Sequence, residues 1–132
     1  MKPFSYPMEV RFRDLDVLGH VNNAVVLTYL EQARLRWWQD HLQGRRFQEH
    51  GFLIARIEID YRKPILMHDS VRIELRCGQI GTSSFSLAFK VLREADGVVL
   101  AEGHSVQVML DFKSERPCAV PPETLAWLKA QA

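Results

Sequence analysis

Two aspartates, a glycine, a histidine and a pair of asparagines fall within ten residues, in Asp14-Leu15-Asp16-Val17-Leu18-Gly19-His20-Val21-Asn22-Asn23. A carboxylate such as that of Asp16 can attack an acyl carbon, or take a proton from a water that does so. Opposite it, such an attack needs a donor for the negative charge that grows on the carbonyl oxygen. The start of a helix supplies one, because its first N–H groups lack intrahelical partners and carry the positive end of the macrodipole. Asn22 and Asn23 stand where a helix can start, and either can act as the N-cap. The spacing therefore suits acyl chemistry, with Asp16 on one side and a backbone N–H near Asn23 on the other. The same residues also have an ordinary use: Asp14 and Asp16 can close Asx-turns while Asn22 caps the helix.

Other chemistries find less support. The histidines His20, His41, His50, His68 and His104 form no H-x-x-x-H or H-E-x-x-H pattern, so no metal is expected. Cys77 and Cys118 have no C-x-x-C spacing and cannot make a disulfide framework, which fits a reducing compartment. There is no G-x-S-x-G elbow and no phosphate-binding glycine loop. With 17 Lys+Arg against 16 Asp+Glu in 132 residues, the chain lacks the cationic excess on which nucleic-acid affinity rests. No run of about 18 apolar residues and no signal-like start is present, so a cytoplasmic protein with no membrane span is expected. A hydrophobic fraction of 47% with 25% charged residues fits one globular domain over residues 1–132.

The elements that must hold the motif can be read from periodicity. Met8, Val10 and Phe12 alternate with Glu9, Arg11 and Arg13, as in a first strand. From Ala24 to about Gly44 no Pro or Gly interrupts, and Val26, Leu30, Ala33 and Trp37 recur at helical spacing with Tyr29 on the same side. The first turns of this helix, Ala24 to Leu27, are apolar nearly all round, which calls for a curved sheet wrapped about that end. After Gly51 the period becomes two. Leu53, Ala55, Ile57, Ile59 and Tyr61 alternate with Arg56, Glu58, Asp60 and Arg62 until Pro64, Val71 to Cys77 alternate with Arg72, Glu74 and Arg76, and Phe85 to Val91 alternate with Ser84, Ser86 and Lys90. A last run from Val98 to Asp111 has Val106, Val108 and Leu110 on one face and Met109 on the other. Gly81 and Asp96-Gly97 are expected at positive φ in tight hairpins, joining the last three strands as an antiparallel meander. Pro121-Pro122 introduces a terminal helix from Glu123 to Ala130. The order is α+β, and it suggests a hotdog arrangement: a long central helix wrapped by a curved antiparallel sheet. A cystatin-like sheet with a helix in its cup is the alternative.

The run RFRDLDVLGHVNNAVVLTYLEQAR resembles the signature of the hydroxybenzoyl-CoA thioesterase branch of hotdog-fold acyl-CoA thioesterases, and the element order agrees over nearly the whole chain. That resemblance implies hydrolysis of coenzyme A thioesters, with no metal or organic cofactor, in a site formed between two subunits. It implies that Asp16 is the catalytic carboxylate, as nucleophile or general base, and that the backbone N–H at Asn23 polarises the thioester carbonyl. His20 either assists, by orienting Asp16 or bonding substrate, or is a loop histidine with a structural duty. Asn22 is a cap first and a substrate contact second, and Glu31 is supportive. The stretch Gly81-Thr82-Ser83-Ser84-Phe85 is similar to the family hairpin that meets the pantetheine arm or phosphates, so Ser83 and Ser84 are expected to bind substrate. Basic residues that often precede that serine are absent here, where Ile80, Gly81 and Thr82 stand, and Arg62 and Lys63 can supply the charge instead. Tyr29, Leu30 and Ala33 are candidates for the acyl pocket. The expected partners are acyl-CoA, or an acyl carrier protein as thiol carrier, and further copies of the chain. These copies would form a homodimer joined edge to edge, or a homotetramer of two such dimers.

Two rival readings use the same residues. A hotdog enoyl-CoA hydratase would use Asp16 with His20 to add water to an enoyl thioester, although the proline-containing stretch of those motifs is missing. A non-catalytic module binding acyl-CoA or acyl carrier protein would keep the pocket but have no need of the carboxylate.

Overall fold

Alternation dictates a sheet and 3.6-residue periodicity a helix, and the computed structural model, which describes residues 2–131, arranges the two around one apolar interior. The strands are β1 (Phe4–Glu9), β2 (Phe52–Tyr61), β3 (Ser70–Ile80), β4 (Ser84–Arg93), β5 (Val99–Asp111) and the two-residue β6 (Arg116–Pro117). The helices are α1 (Asn23–Leu42), the single turn α2 (Phe47–His50) and α3 (Pro122–Gln131). The sheet runs β1-β3-β4-β5-β2, with β6 against β5, and all of its pairings are antiparallel. The sheet curls about α1 as expected for a hotdog fold.

On β3 and β4 the expected faces are the observed ones. Val71, Ile73, Leu75 and Cys77 are buried with Phe85, Leu87, Phe89 and Val91, against Val26, Leu30, Ala33, Trp37 and Trp38 of α1. Trp38 stacks on Phe85 with ring centroids 5.6 Å apart, and its indole N–H donates to the His50 carbonyl at 2.8 Å.

Elsewhere the structure corrects the expectations. The first strand lies earlier, at Phe4–Glu9, and Phe12 begins a 3-10 turn that ends at Asp14. Pro7 is tolerated in β1 because an edge strand can do without one N–H. The first turns of α1 are wrapped less than their composition suggests: Ala24 is exposed, and Val25 and Leu27 are half-buried. Gly97 has the expected positive φ of 73°, but Gly81 does not. On β2 a bulge between Ile54 and Arg56 breaks the alternation, so Leu53 is 52% exposed, and at the end of the strand Tyr61 is 42% exposed. On β5 the buried face is the more polar one: Ser105 and Gln107 lie inside with Met109, whereas Val106, Val108 and Leu110 are half-buried. Gln107 is satisfied there, donating to the Phe85 carbonyl at 3.0 Å and accepting from the Ser105 hydroxyl. Gly103 of β5 approaches β2 so closely that an added Cβ would stand 1.9 Å from the Glu58 carbonyl oxygen.

The far end of α1 is closed by α3. His41 shares a 2.8 Å hydrogen bond with the Thr124 hydroxyl and stacks on Trp127, while Arg45 reaches Glu123 at 2.6 Å. Burial holds the His41 pKa below its usual 6.5, the nearby Arg45 cation acts in the same direction, and Glu123 opposes them. A depressed folded-state pKa means that the unfolded chain binds the proton more readily. The contribution of His41 is therefore complete above 6.5 and is lost as pH falls through the folded value. Between about pH 8 and about pH 5, the wild type should lose more stability, read as Tm, than His41→Gln does. Parallel Tm-against-pH curves for the two proteins would exclude this role.

Candidate active site

The start of α1 has the geometry its sequence requires. Asn22 is the N-cap, with extended backbone, and its side-chain oxygen accepts from the Ala24 N–H at 2.8 Å. Its carbonyl receives the N–H groups of Val25 and Val26. The N–H of Asn23, the first helical residue, has no acceptor among the described residues, as the opening turn of a helix leaves it. The Asn23 carbonyl is held from the other side by the Tyr61 hydroxyl at 2.8 Å.

The loop before the helix doubles back on itself. Asn22 N–H donates to the Asp14 carbonyl at 2.9 Å, Leu15 and Val21 form a β-bridge, and Asp16 N–H donates to the His20 carbonyl at 2.9 Å. Gly19 closes the tip at a φ of 77°, a conformation that favours glycine. Val21 N–H donates to the Ile65 carbonyl, and His20 bridges to Leu66, which fixes the loop against the segment after β2. One Asp16 carboxylate oxygen accepts from Leu18 N–H at 2.9 Å in an Asx-turn, and the second has no donor among the described residues.

This folding brings Asp16, His20 and Asn23 to one pocket of about 250 Å³. Arg62 and Lys63 line it as well, and Val26, Ile65, Leu100 and Ala101 give it apolar walls. Arg62 also spends its guanidinium on Glu102 at 3.3 Å and Asp60 at 3.5 Å.

Other candidate residues are elsewhere. Asn22 is exposed, committed to its cap, and not in the pocket lining. Tyr29, expected at the acyl group, is 1% exposed in the core, where its hydroxyl donates to Asp14 at 2.5 Å. Ser83 and Ser84 lie where β4 begins; Ser84 faces another cavity, shared with Gly81, Ser86 and Val106. Leu30 and Ala33 are core residues, and Glu31 is exposed on α1. Tyr61, Ile65, Leu100 and Ala101 line the pocket without having been singled out. Tyr61 closes an alternating run and the others are ordinary apolar residues, so only the fold reveals them.

Asp14 is buried, at 2% exposure, and is held by Tyr29, by the Arg11 backbone N–H at 2.9 Å and by the Arg11 guanidinium at 3.1 Å. Burial acts to raise its pKa, but these donors outweigh it and hold the carboxyl below its usual 3.8. Among the described residues no three His, Cys, Asp or Glu side chains are grouped to hold a metal ion. No described helix is long and apolar enough to cross a membrane.

The sequence pattern of the Thioesterase-like superfamily matches residues 10–128, and the chain belongs to that family. Among its relatives, the long-chain acyl-CoA thioesterase FadM of Escherichia coli strain K12 is 31% identical over 118 residues, covering 88% of this chain and 89% of that protein. A 1,4-dihydroxy-2-naphthoyl-CoA hydrolase of Synechococcus sp. strain CC9605 is 30% identical over 136 residues, with coverage of 93% and 87%. A crystal structure of a Thermus thermophilus thioesterase complexed with coenzyme A and Zn is 37% identical, with a TM-score of 0.84 over 98% of this chain and 94% of that one.

Proposed function

We propose that this protein hydrolyses acyl-CoA thioesters to a free acid and CoA. The observation that carries the reading is that Asp16 and Asn23 line one pocket, Asp16 having a carboxylate oxygen with no donor and Asn23 an N–H with no acceptor among the described residues. The thioester carbonyl accepts from the Asn23 N–H, and the helix start stabilises the charge that develops on its oxygen. As nucleophile, Asp16 displaces the CoA thiolate to form a mixed anhydride, which water then opens. As general base, it takes the proton of the attacking water, and the tetrahedral intermediate expels the thiolate. His20 either bonds the substrate or orients Asp16 from the same pocket. Arg62 and Lys63 attract the phosphates of CoA, and the acyl group rests against Val26, Ile65 and Leu100.

A second copy of the chain completes the site in this reading. β2 is a sheet edge with exposed Leu53 and Ile54, and Val17 and Leu18 beside Asp16 are 99% and 73% exposed. Pairing two β2 edges covers unpaired backbone groups as well as these side chains. It also lets Ser83 and Ser84 serve the pantetheine arm of a neighbour's substrate, and two such dimers make the tetramer. The names of the relatives, an acyl-CoA thioesterase and a naphthoyl-CoA hydrolase, favour CoA over acyl carrier protein as the thiol carrier, and the cytoplasm suits the free thiols of Cys77 and Cys118.

A panel of aryl, short-chain and long-chain acyl-CoA thioesters with a thiol-trapping dye tests the reading. Free thiol and free acid should appear in equal amounts for at least one class. Loss of enoyl absorbance without thiol release would replace hydrolysis by hydration, and tight binding with no turnover across the panel would leave a binding module.

A further inference from the structure

We propose that Asp14 and Tyr29 act as a pair of positioning residues that hold Asp16 at the start of α1; this rests on the reading of Asp16 as the reactive carboxylate. Asp14 ties the loop to α1, while Ile65 and Leu66 hold its other side. Its main-chain carbonyl receives the N–H of the cap residue Asn22 at 2.9 Å, and its side chain receives the Tyr29 hydroxyl at 2.5 Å. Tyr29 lies six residues beyond Asn23, about 9 Å farther along the helix at 1.5 Å per residue. One aspartate thus ties the loop to the helix at two levels, and a lever held at two points cannot pivot about either.

The remaining bonds of the loop make the dependence specific. Within it, Asp16 N–H meets the His20 carbonyl and the Asp16 carboxylate meets Leu18 N–H, so these contacts move with the loop and do not fix it to α1. The Val21 and His20 contacts run to Ile65 and Leu66, outside the helix. Arg11 binds the same carboxylate but precedes the loop in the chain and is itself exposed. Among the described residues, the bond from Tyr29 to Asp14 is therefore the side-chain tie between the body of α1 and this loop. Displacing a reacting group by about 1 Å can cost about 10²-fold in rate, and Asp16 is two residues from the tie. Neither Asp14 nor Tyr29 lines the pocket, so the pair acts through Asp16.

Tyr29→Phe removes one hydroxyl and keeps the buried ring. Its kcat on an acyl-CoA that the wild type hydrolyses should fall about 10-fold or more, while KM stays within about twofold. Amide hydrogen exchange over residues 15–21 should accelerate. Asp14→Asn, which keeps the main-chain bond to Asn22, should give the same split between kcat and KM, and the double variant should be no slower than the slower single one. These variants are compared with Asp16→Asn. A Tyr29→Phe enzyme of wild-type kcat beside an inactive Asp16→Asn overturns the positioning role alone. A fall in kcat with unchanged exchange also overturns it. Should Asp16→Asn keep wild-type turnover, the reading of Asp16 falls and this inference with it. If Tyr29→Phe fails to fold, Asp14→Asn decides by the same measurements.

Discussion

Asp16→Asn should fold with a Tm close to that of the wild type and release thiol from acyl-CoA at a rate lower by about 10²-fold or more. The substitution isolates chemistry from structure because the Asx-turn uses one side-chain oxygen, accepting from Leu18 N–H, and an asparagine keeps that acceptor. What it removes is the second, negatively charged oxygen, which has no structural partner among the described residues. An amide is a poor nucleophile and a poor base, so only polarisation by the Asn23 N–H and the binding contacts remain. Initial rates of thiol release, measured beside thermal unfolding of both proteins, check the expectation. Equal rates would take Asp16 out of the reaction, and a collapse in Tm would show that its charge serves the loop.

The second large effect concerns stability. Gly103→Ala should lower it by about 3 kcal/mol, the upper end of overpacking costs, and Tm by roughly 10 °C. The added Cβ would lie 1.9 Å from the Glu58 carbonyl oxygen, 2.8 Å from its carbon and 3.0 Å from Ile59 Cα. All three are backbone atoms, and a Cβ has no rotamer by which to turn aside. Relief requires β2 to draw away from β5 where Ile59 and Gly103 are paired. Gly97→Ala is the control. Its φ of 73° is unfavourable for a side chain, but the space around it is open, so about 1 kcal/mol is expected. Thermal unfolding separates the two, and similar costs would show that the approach of the strands is not what selects glycine at 103.

Much of the molecule was legible because one face of an element was wholly apolar. Phe85, Leu87, Phe89 and Val91 alternate without a break, and α1 repeats its apolar residues until Gln43 adopts a left-handed conformation. Legibility failed where a local rule was overridden. On β2 the bulge shifts the phase after Ile54, so the first apolar residues of an alternating run are left outside. On β5 apolar periodicity marks the wrong face, because Gln107 is buried at 0% exposure with its amide satisfied by Phe85 and Ser105, which a hydropathy pattern cannot register. The motif itself was readable as spacing, and the meeting of Asp16, His20 and Asn23 at one pocket follows from a hairpin closed by short-range backbone bonds. Tyr29 was not readable. Helical spacing places it in the core, but nothing in that spacing reveals a hydroxyl aimed fifteen positions back at Asp14.

The polar groups that line the pocket from the loop belong to one short stretch, residues 16–23, which also brings Leu18 and Val21 and is followed by Val26, whereas Ile65, Leu100 and Ala101 reach the pocket from distant parts of the chain. The apolar wall is thus encoded partly beside the candidate reactive groups and partly far from them in the sequence. Under the proposed function, exchanging side chains at 65, 100 and 101 would reshape that distant part of the wall and leave residues 16–23 unchanged.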